Sequence, residues 1–357
     1  MDITHLLAQS IKEGASDLHL SSGLPPLLRV DGDLIRMKLP SLRSNQVKDL
    51  VHEVLNQAQL NSLKEGLEID FSFEIPRLAR FRANVFKQNR GYAAVFRSIP
   101  SLVPTLSDLG LGDIFKKISL LPRGLVLITG PTGSGKSSTQ AAMVDYINNN
   151  RNYHVLTIED PIEFVHESKK SLINQREIGR DTQQFSHALR AALREDPDVV
   201  VVGEMRDLET VRLALTAAET GHLVFATLHT TSAALTINRI IDVFPAEEKD
   251  LVRSMLSDSL QAVVTQTLLK KVNGGRVAAH EIMIGTPAIR NLIREDKVAQ
   301  IYSVIQTGSS LNMKTLDQSL AQLVEEGAVS LNTARSKAVF PKHLSKEEPS
   351  NRSLQSQ

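Results

Sequence analysis

The residues best suited to chemistry form one glycine-rich segment, Gly130-Pro131-Thr132-Gly133-Ser134-Gly135-Lys136-Ser137. Its spacing matches the phosphate-loop pattern G-x-x-x-x-G-K-[ST] at every fixed position. Glycines there let successive backbone N–H groups turn inward around a phosphate without clashes from Cβ atoms. Lys136 would reach the β- and γ-phosphates of a nucleotide, and the hydroxyl of Ser137 would bind Mg²⁺.

Two predicted elements hold this segment. Residues 125–129 are a short apolar run typical of a buried strand, and residues 138–148 have the pattern of a helix. A strand, a glycine-rich loop and a helix N-terminus in this order bind phosphate, because unpaired N–H groups point at the anion. The alternative is a Gly/Ser-rich turn without a ligand, which does not require these flanks. The sequence therefore predicts a nucleotide-binding protein.

Carboxylates follow two further predicted strands. Glu159 and Glu163 come after the strand 155–158, and Glu204 follows the apolar run 199–202 with one glycine between them. Nucleotide hydrolysis needs a carboxylate that orients and deprotonates water, so Glu159 and Glu163 are candidates. Four apolar residues and an acid resemble a Walker B strand, which holds Mg²⁺, although Asp is commoner there than Glu. For Glu159 and Glu163 the alternative is an ordinary charged surface loop. For Glu204 the alternative is a buried strand that simply ends at a surface acid.

Two histidines, His222 and His229, lie at the two ends of another predicted strand, residues 223–226. His229 is expected at the carboxyl edge of the sheet, where open α/β sheets bind their ligands. Both histidines are candidates to sense or contact the γ-phosphate. An ordinary hydrogen-bonded histidine is the alternative, above all for His222. Metal binding by the histidines is not expected at these spacings and without cysteines.

Residues 1–100 are predicted to form a small α+β domain around an antiparallel sheet, because apolar and polar residues alternate along three of its segments. Arg80, Arg82 and Arg97 lie on these strands, away from the apolar side. They are either a solvated sheet surface or cations that reach a γ-phosphate across a domain or subunit boundary.

The rest of the chain divides at prolines and at a change of composition. Residues 101–121 are predicted as a linker with a short helix, because prolines break the strand pattern there. Residues 122–341 alternate strand and helix, which predicts a mostly parallel sheet covered on both faces, with a mostly helical part beyond Thr230. Residues 342–357 have almost nothing to bury, so a disordered tail is expected.

Composition narrows the function. The chain has 41% hydrophobic and 23% charged residues and a formal net charge of +1, which argues against a nucleic-acid translocase. It has no cysteine, which excludes a disulfide framework, a Cys-ligated zinc site and thiol catalysis. The sequence shows neither a signal-peptide pattern nor an apolar run of membrane-spanning length, so we expect a cytosolic protein.

The order of these motifs resembles the secretion ATPase superfamily, and within it the ATPases that retract type IV pili for twitching motility. The similarity covers residues 1 to about 341. The matching segments are the phosphate loop and residues 15–20, 29–32, 157–163, 203–204, 206–210 and 217–229. One departure is Ser138 after the loop, where the family often has Thr; the hydroxyl is kept, and Ser138 counts among the nucleotide-binding residues.

The resemblance implies an α/β fold in which an N-terminal PAS-like α+β domain joins a RecA-like P-loop ATPase core with a helical C-terminal part. It implies a cytoplasmic homohexamer that uses ATP and Mg²⁺ at the inner membrane and acts on a pilus platform protein, with an accessory paralogous ATPase as a further candidate partner. Glu163 would be the general base, and Ser137 and Glu204 would hold Mg²⁺. The candidate phosphate contacts would be Arg82, Arg97 and Arg123. His222 and His229 would belong to the histidine box of the family.

The segment that marks retraction motors in this family matches Ala288, Ile289, Arg290, Asn291, Leu292, Ile293, Arg294 and Glu295. Its pattern predicts a helix that buries its Ile and Leu residues and exposes Arg290 and Arg294 at i, i+4. The pattern alone indicates an ordinary surface helix, and the resemblance makes it a functional element. An accessory retraction ATPase, a pilus assembly or type II secretion ATPase, and a nucleotide-gated scaffold stay open as alternatives.

Overall fold

The computed structural model describes residues 2–30, 32–99 and 102–344. The chain divides into two compact units, Met1–Leu102 and Val103–Gln357. In the described residues, no helix combines the length and the apolar character needed to cross a membrane.

The first unit is a six-stranded antiparallel sheet with helices packed against its apolar side. The strand order is β3-β2-β1-β6-β5-β4. Residues that point to the helices, such as Phe81, Ala83 and Val85, are fully buried, which confirms the alternation predicted from the sequence. The elements are α1 (Ile3–Lys12), β1 (Asp17–Ser21), β2 (Leu27–Val30), β3 (Asp33–Arg36), α2 (Ser44–His52), α3 (Gln57–Gly66), β4 (Glu68–Ile75), β5 (Ala79–Gln88) and β6 (Gly91–Ile99).

The second unit is a seven-stranded sheet in the order β13-β12-β7-β11-β10-β8-β9. All neighbours are parallel except β13, which pairs antiparallel with β12. Alternate residues of β7 enter the hydrophobic cores on the two sides of the sheet, as the doubly covered sheet predicted from the sequence requires.

The strands of the second unit are β7 (Gly124–Thr129), β8 (His154–Glu159), β9 (Leu172–Glu177), β10 (Val199–Val202), β11 (Leu223–Leu228), β12 (Leu260–Lys270) and β13 (Arg276–Ile284). Its helices are α4 (Asp113–Ser119), α5 (Lys136–Asn150), α6 (Phe185–Ala192), α7 (Leu208–Glu219), α8 (Ala233–Asp242), α9 (Lys249–Ser259), α10 (Pro287–Arg294), α11 (Ile301–Thr307), α12 (Leu316–Glu325) and α13 (Leu331–Arg335). Short 3₁₀ turns occur at Ala246–Glu248, Val298–Gln300, Ser309–Leu311 and Pro341–His343.

The part beyond Thr230, predicted as mostly helical, contains the two long strands β12 and β13. Most of β12 is buried on both sides, so its side chains show no polar alternation that would have revealed a strand. Helices α2 and α3 are separate elements, because Asn56 caps α3 through a reciprocal pair of hydrogen bonds with Gln59.

The expected linker and tail also differ from the structure. Residues 103–121 pack into the second unit through buried Leu106, Leu111 and Phe115, because their apolar side chains complete the core under β7. Within the expected tail, Leu344 is buried, and its carbonyl accepts two hydrogen bonds from the Arg335 guanidinium at 3.0 and 2.8 Å. The rest of that tail, residues 345–357, lies outside the described residues.

Candidate functional site

The glycine-rich segment connects the end of β7 to the start of α5, as the sequence predicts. Gly130 and Gly135 have φ values of 140° and 87°, a region that side chains rarely adopt. A Cβ atom on Gly130 would lie 2.2 Å from the backbone oxygen of Gln266. The loop therefore requires glycine for two reasons, its backbone conformation and the close approach of β12.

Lys136 opens α5 beside this loop. Its Nζ donates hydrogen bonds to the carbonyl oxygens of Gly130 at 2.8 Å and Pro131 at 3.2 Å. Burial lowers the pKa of Lys136, and the charges of Glu204 and Glu163 act in the opposite direction. Both candidate acids therefore lie within electrostatic reach of the loop lysine.

The parallel register of the sheet explains this convergence. Leu228 pairs with Thr129, and Val202 pairs with both Ala226 and Ile158. The carboxyl ends of β7, β11, β10 and β8 therefore lie side by side. A candidate lies at or just beyond the end of each of these strands: the loop after β7, His229 after β11, Glu204 after β10, and the segment that begins at Glu159, the last residue of β8.

Glu204 is held by two cationic or ionisable neighbours. One carboxylate oxygen accepts from Arg206 Nη2 at 2.7 Å, and the other lies 2.9 Å from His229 Nε2. Burial alone would raise the pKa of Glu204, but Arg206 and His229 outweigh it and the pKa is lowered. The carboxylate is thus ionised near neutral pH, and His229 contacts Glu204 directly.

The structure separates the two acids that the sequence left as alternatives for the base. The carboxylate of Glu159 is already hydrogen-bonded to neighbouring side chains. It accepts hydrogen bonds from Thr157 Oγ1 at 2.6 Å and from Gln175 Nε2 at 3.1 Å. Burial raises its pKa despite these donors. Glu163 is exposed, four residues further along the same segment. Glu163 is therefore the better placed to meet water.

Two residues of β9 that the sequence did not identify anchor this acidic segment. Gln175 also donates to the carbonyl of Phe164 at 2.9 Å and accepts from the N–H of His166 at 2.7 Å, so its amide holds both sides of Glu163. Glu177 accepts from the N–H of Ile162 at 3.1 Å. Neither role could be predicted from the sequence, because its pattern did not indicate a strand at β9.

His222 and Arg123 lie elsewhere. His222 precedes β11 and Arg123 precedes β7, and the carbonyl of His222 accepts from the N–H of Gly124 at 2.9 Å. Strand β7 has six residues. It is therefore about 20 Å long, and these two side chains are at the opposite edge of the sheet from the phosphate loop. His222 and His229 therefore lie at opposite edges of the sheet within one chain, because they flank the two ends of the same strand.

The arginines of the first unit form a cross-strand row on the exposed side of its sheet. Arg82 pairs with Arg97, and Arg97 pairs with Asp17. Arg97 Nε lies 2.8 Å from Asp17, whereas Arg82 Nε lies 3.4 Å from Asp70. Arg80 donates to Ser72 at 3.0 Å. The Arg97 side chain is 65% exposed even with its partner, so it can reach a further anion.

Helix α10 forms from the segment 288–295 as predicted, with Ile289 and Ile293 buried. Arg290, however, is not a free surface cation. Its guanidinium donates to the carbonyl oxygens of Gly285 at 2.8 Å, Ser257 at 3.1 Å and Leu260 at 3.1 Å. It thereby satisfies the C-terminal end of α9, a role that depends on a partner more than 30 residues away and that the helical pattern does not reveal.

The chain matches the family described as "Type II/IV secretion system protein" over residues 1–336. It is 68% identical over 344 residues to the "Type IV pilus retractation ATPase PilT" of Pseudomonas aeruginosa, covering 96% of this chain and 100% of that protein. It is 60% identical over 314 residues to a "Twitching motility protein" of Neisseria gonorrhoeae, covering 88% of this chain and 84% of that protein.

Among solved structures, one described as the pilus retraction motor PilT with bound ADP superposes with a TM-score of 0.89 at 49% identity, covering 96% of this chain and 99% of that one. The chain belongs to the type II/IV secretion system protein family, whose fold is an N-terminal domain followed by a RecA-like ATPase core.

Replacing Gln175 should loosen the segment that carries Glu163. Gln175→Ala removes three hydrogen bonds around this segment, so we expect the kcat for ATP hydrolysis to fall about tenfold or more while KM changes less. Steady-state kinetics at several ATP concentrations measure both. Asn174→Ala is the matched control, because Asn174 contacts His154 on the other side of β9. Equal losses in the two variants would refute the positioning role.

Arg290 and Arg294 should differ in their effect on stability. Arg290→Ala leaves the carbonyl ends of α9 without their charged donor, so the free energy of unfolding should fall by about 2–3 kcal/mol. Arg294→Ala breaks an exposed ion pair with Asp258 and should cost less than about 1 kcal/mol. Chemical denaturation compares the two variants. A larger loss for Arg294→Ala would contradict the capping role of Arg290.

Proposed function

We propose that this chain is an ATP-hydrolysing motor that powers the retraction of type IV pili for twitching motility. The observation that carries the proposal is the meeting of the phosphate loop, Glu204 and Glu163 at one edge of the sheet. The 68% identity over nearly the whole chain to a pilus retraction ATPase supports the particular process. Hydrolysis would be the energy source, and the pilus would be the load.

In this proposal Gly130 to Ser138 bind ATP, with the loop N–H groups and the N-terminal end of α5 around the phosphates. Lys136 would exchange its carbonyl partners for the β- and γ-phosphate oxygens. The site also fits Mg²⁺, because the Ser137 hydroxyl and the ionised Glu204 carboxylate are hard oxygen donors. Bound Mg²⁺ would neutralise phosphate charge. Arg206 and His229 hold the Glu204 carboxylate in place.

Glu163 is the proposed general base. It would orient a water molecule toward the γ-phosphate and accept its proton, while Lys136 stabilises the negative charge that builds up on the phosphate oxygens. Glu159 would not take that proton, since Thr157 and Gln175 already hold its carboxylate. Its role is to shape the turn that presents Glu163.

The remaining phosphate contacts are proposed to come from outside the RecA-like core or from a second subunit. Arg82 and Arg97 belong to the first unit, and Arg97 keeps an exposed guanidinium. Arg123 and His222 are at the far edge of their own sheet, so any phosphate they touch would belong to a neighbouring subunit. We therefore propose a homohexameric ring with nucleotide sites that neighbouring subunits complete.

The ring is proposed to lie in the cytoplasm at the inner membrane and to act on a pilus platform protein. The exposed residues of α10 and of its C-cap are the surface offered to that partner or to an accessory ATPase; they include Ala288, Asn291, Arg294 and the C-cap Glu295. An accessory retraction ATPase remains the second candidate. A pilus assembly or secretion ATPase is less well supported, since the chain lacks the four-cysteine module usual in those proteins.

Glu163→Gln tests the catalytic assignment. The amide cannot accept a proton, so kcat for ATP hydrolysis should fall at least about a hundredfold, while the Kd for ADP changes less than about threefold. Phosphate release and calorimetric ADP titration measure the two quantities.

Glu167→Gln is the matched control for this change. It removes the same charge from an exposed glutamate in the same segment, and it should leave kcat within about twofold of the wild-type value. Unchanged turnover in Glu163→Gln would refute the general base, and loss of ADP binding in that variant would mean that Glu163 builds the nucleotide site.

A further inference from the structure

Gln266 is a buried amide on β12, next to the phosphate loop. Its side chain is in contact with two parts of the loop-and-helix unit, and the residue is 2% exposed. Its Nε2 donates to the carbonyl oxygen of Ser134 at 2.5 Å, and its Oε1 accepts from the hydroxyl of Thr139 on α5 at 2.9 Å. Both hydrogen-bonding ends of the amide are therefore used, one on the loop and one on the helix.

The contact with Ser134 has a consequence for the next N–H group. A trans peptide bond is planar, so the carbonyl of Ser134 and the N–H of Gly135 point in opposite directions. Because Gln266 draws the carbonyl toward β12, it aims the Gly135 N–H away from the sheet, to the side where the loop would surround a phosphate. One buried hydrogen bond thus orients a donor that belongs to the binding pattern.

The same residue limits what the loop can contain. A Cβ atom on Gly135 would lie 3.0 Å from Gln266 Nε2, and one on Gly130 would lie 2.2 Å from Gln266 O. One position earlier, Thr265 and Thr129 share a buried hydroxyl hydrogen bond of 2.7 Å at the base of the loop. Strand β12 therefore contacts the loop at its first glycine, its middle and its last glycine.

We propose that Gln266 is a positioning residue for nucleotide binding: without touching the nucleotide, it holds the phosphate loop in the conformation that presents its N–H groups. The inference rests on the proposed nucleotide site at residues 130–138. If an N–H donor is already held in place before the nucleotide binds, no conformational entropy has to be lost to order it. Loss of the Gln266 amide should therefore weaken the affinity for the nucleotide.

Two variants of similar shape separate this role from simple packing. Gln266→Met fills the space but cannot donate to Ser134, so the Kd for ADP should rise about tenfold. Gln266→Glu has the same shape as glutamine. An ionised carboxylate there repels the Ser134 carbonyl and a bound phosphate, whereas a protonated carboxyl can donate again.

The pH dependence is the decisive readout. Calorimetric titration of the full chain with ADP between pH 6 and 8.5 gives the ratio of the Kd of Gln266→Glu to that of the wild type at each pH. This ratio removes the titration of ADP itself. It should be largest at high pH and fall as the pH is lowered, because protonation restores the donor. Thr139→Val, which removes the other partner of the amide, should raise Kd by about threefold or less.

Each outcome decides the proposal. The proposal is supported if the ratio of the two Kd values falls as the pH is lowered and if Gln266→Met binds ADP weakly. Wild-type affinity in Gln266→Met, or a pH-independent ratio for Gln266→Glu, overturns it. If Gln266→Met does not fold, Gln266→Glu at low pH still provides the test. Lys136→Ala serves as reference: if it binds ADP like the wild type, the assignment of the nucleotide site is wrong, which is a different failure.

Discussion

The parallel pairing of β7, β11, β10 and β8 is the constraint on which the site depends. Parallel neighbours in register end at the same edge, so four segments distant in sequence bring the phosphate loop, His229, Glu204 and Glu159 to that edge. Any shift of register would displace Glu204 or Glu159 relative to the loop. The four valines of β10 are buried, so the strand that leads to Glu204 lies inside the apolar core of the sheet.

Polar contacts from outside the four strands complete the site. Strand β9 holds the acidic segment through Gln175, and strand β12 holds the phosphate loop through Gln266. Strands β9 and β12, which flank the four central strands on either side, thus support the proposed general base and the proposed phosphate-binding loop. In the same arrangement, Arg206 and His229 keep Glu204 charged and oriented. The site is positioned by amides and ion pairs placed on a rigid sheet.

Much of this could be predicted from the sequence, because local patterns determined it. The phosphate loop can be recognised from eight consecutive residues. The buried strands and the helix 288–295 can be predicted from short-range periodicity. Gln175, Gln266 and Arg290 could not be predicted, since each acts on backbone groups that only the folded chain brings near. Strand β12 could not be predicted, because it is buried on both sides and its sequence therefore lacks the alternation of apolar and polar residues. The first residues of the expected tail are ordered because Leu344 packs into a hydrophobic cluster formed with the C-terminal helices.

The most direct test of the motor function is a count of surface pili in the native bacterium with Glu163→Gln on the chromosome, combined with a twitching assay. A motor that pulls pili in and has lost its base should leave cells with more pili than the wild type and without twitching. Cells without pili would contradict the account, because the chain would then build pili. Unchanged pili and motility would contradict it as well and would favour an accessory role or another machine.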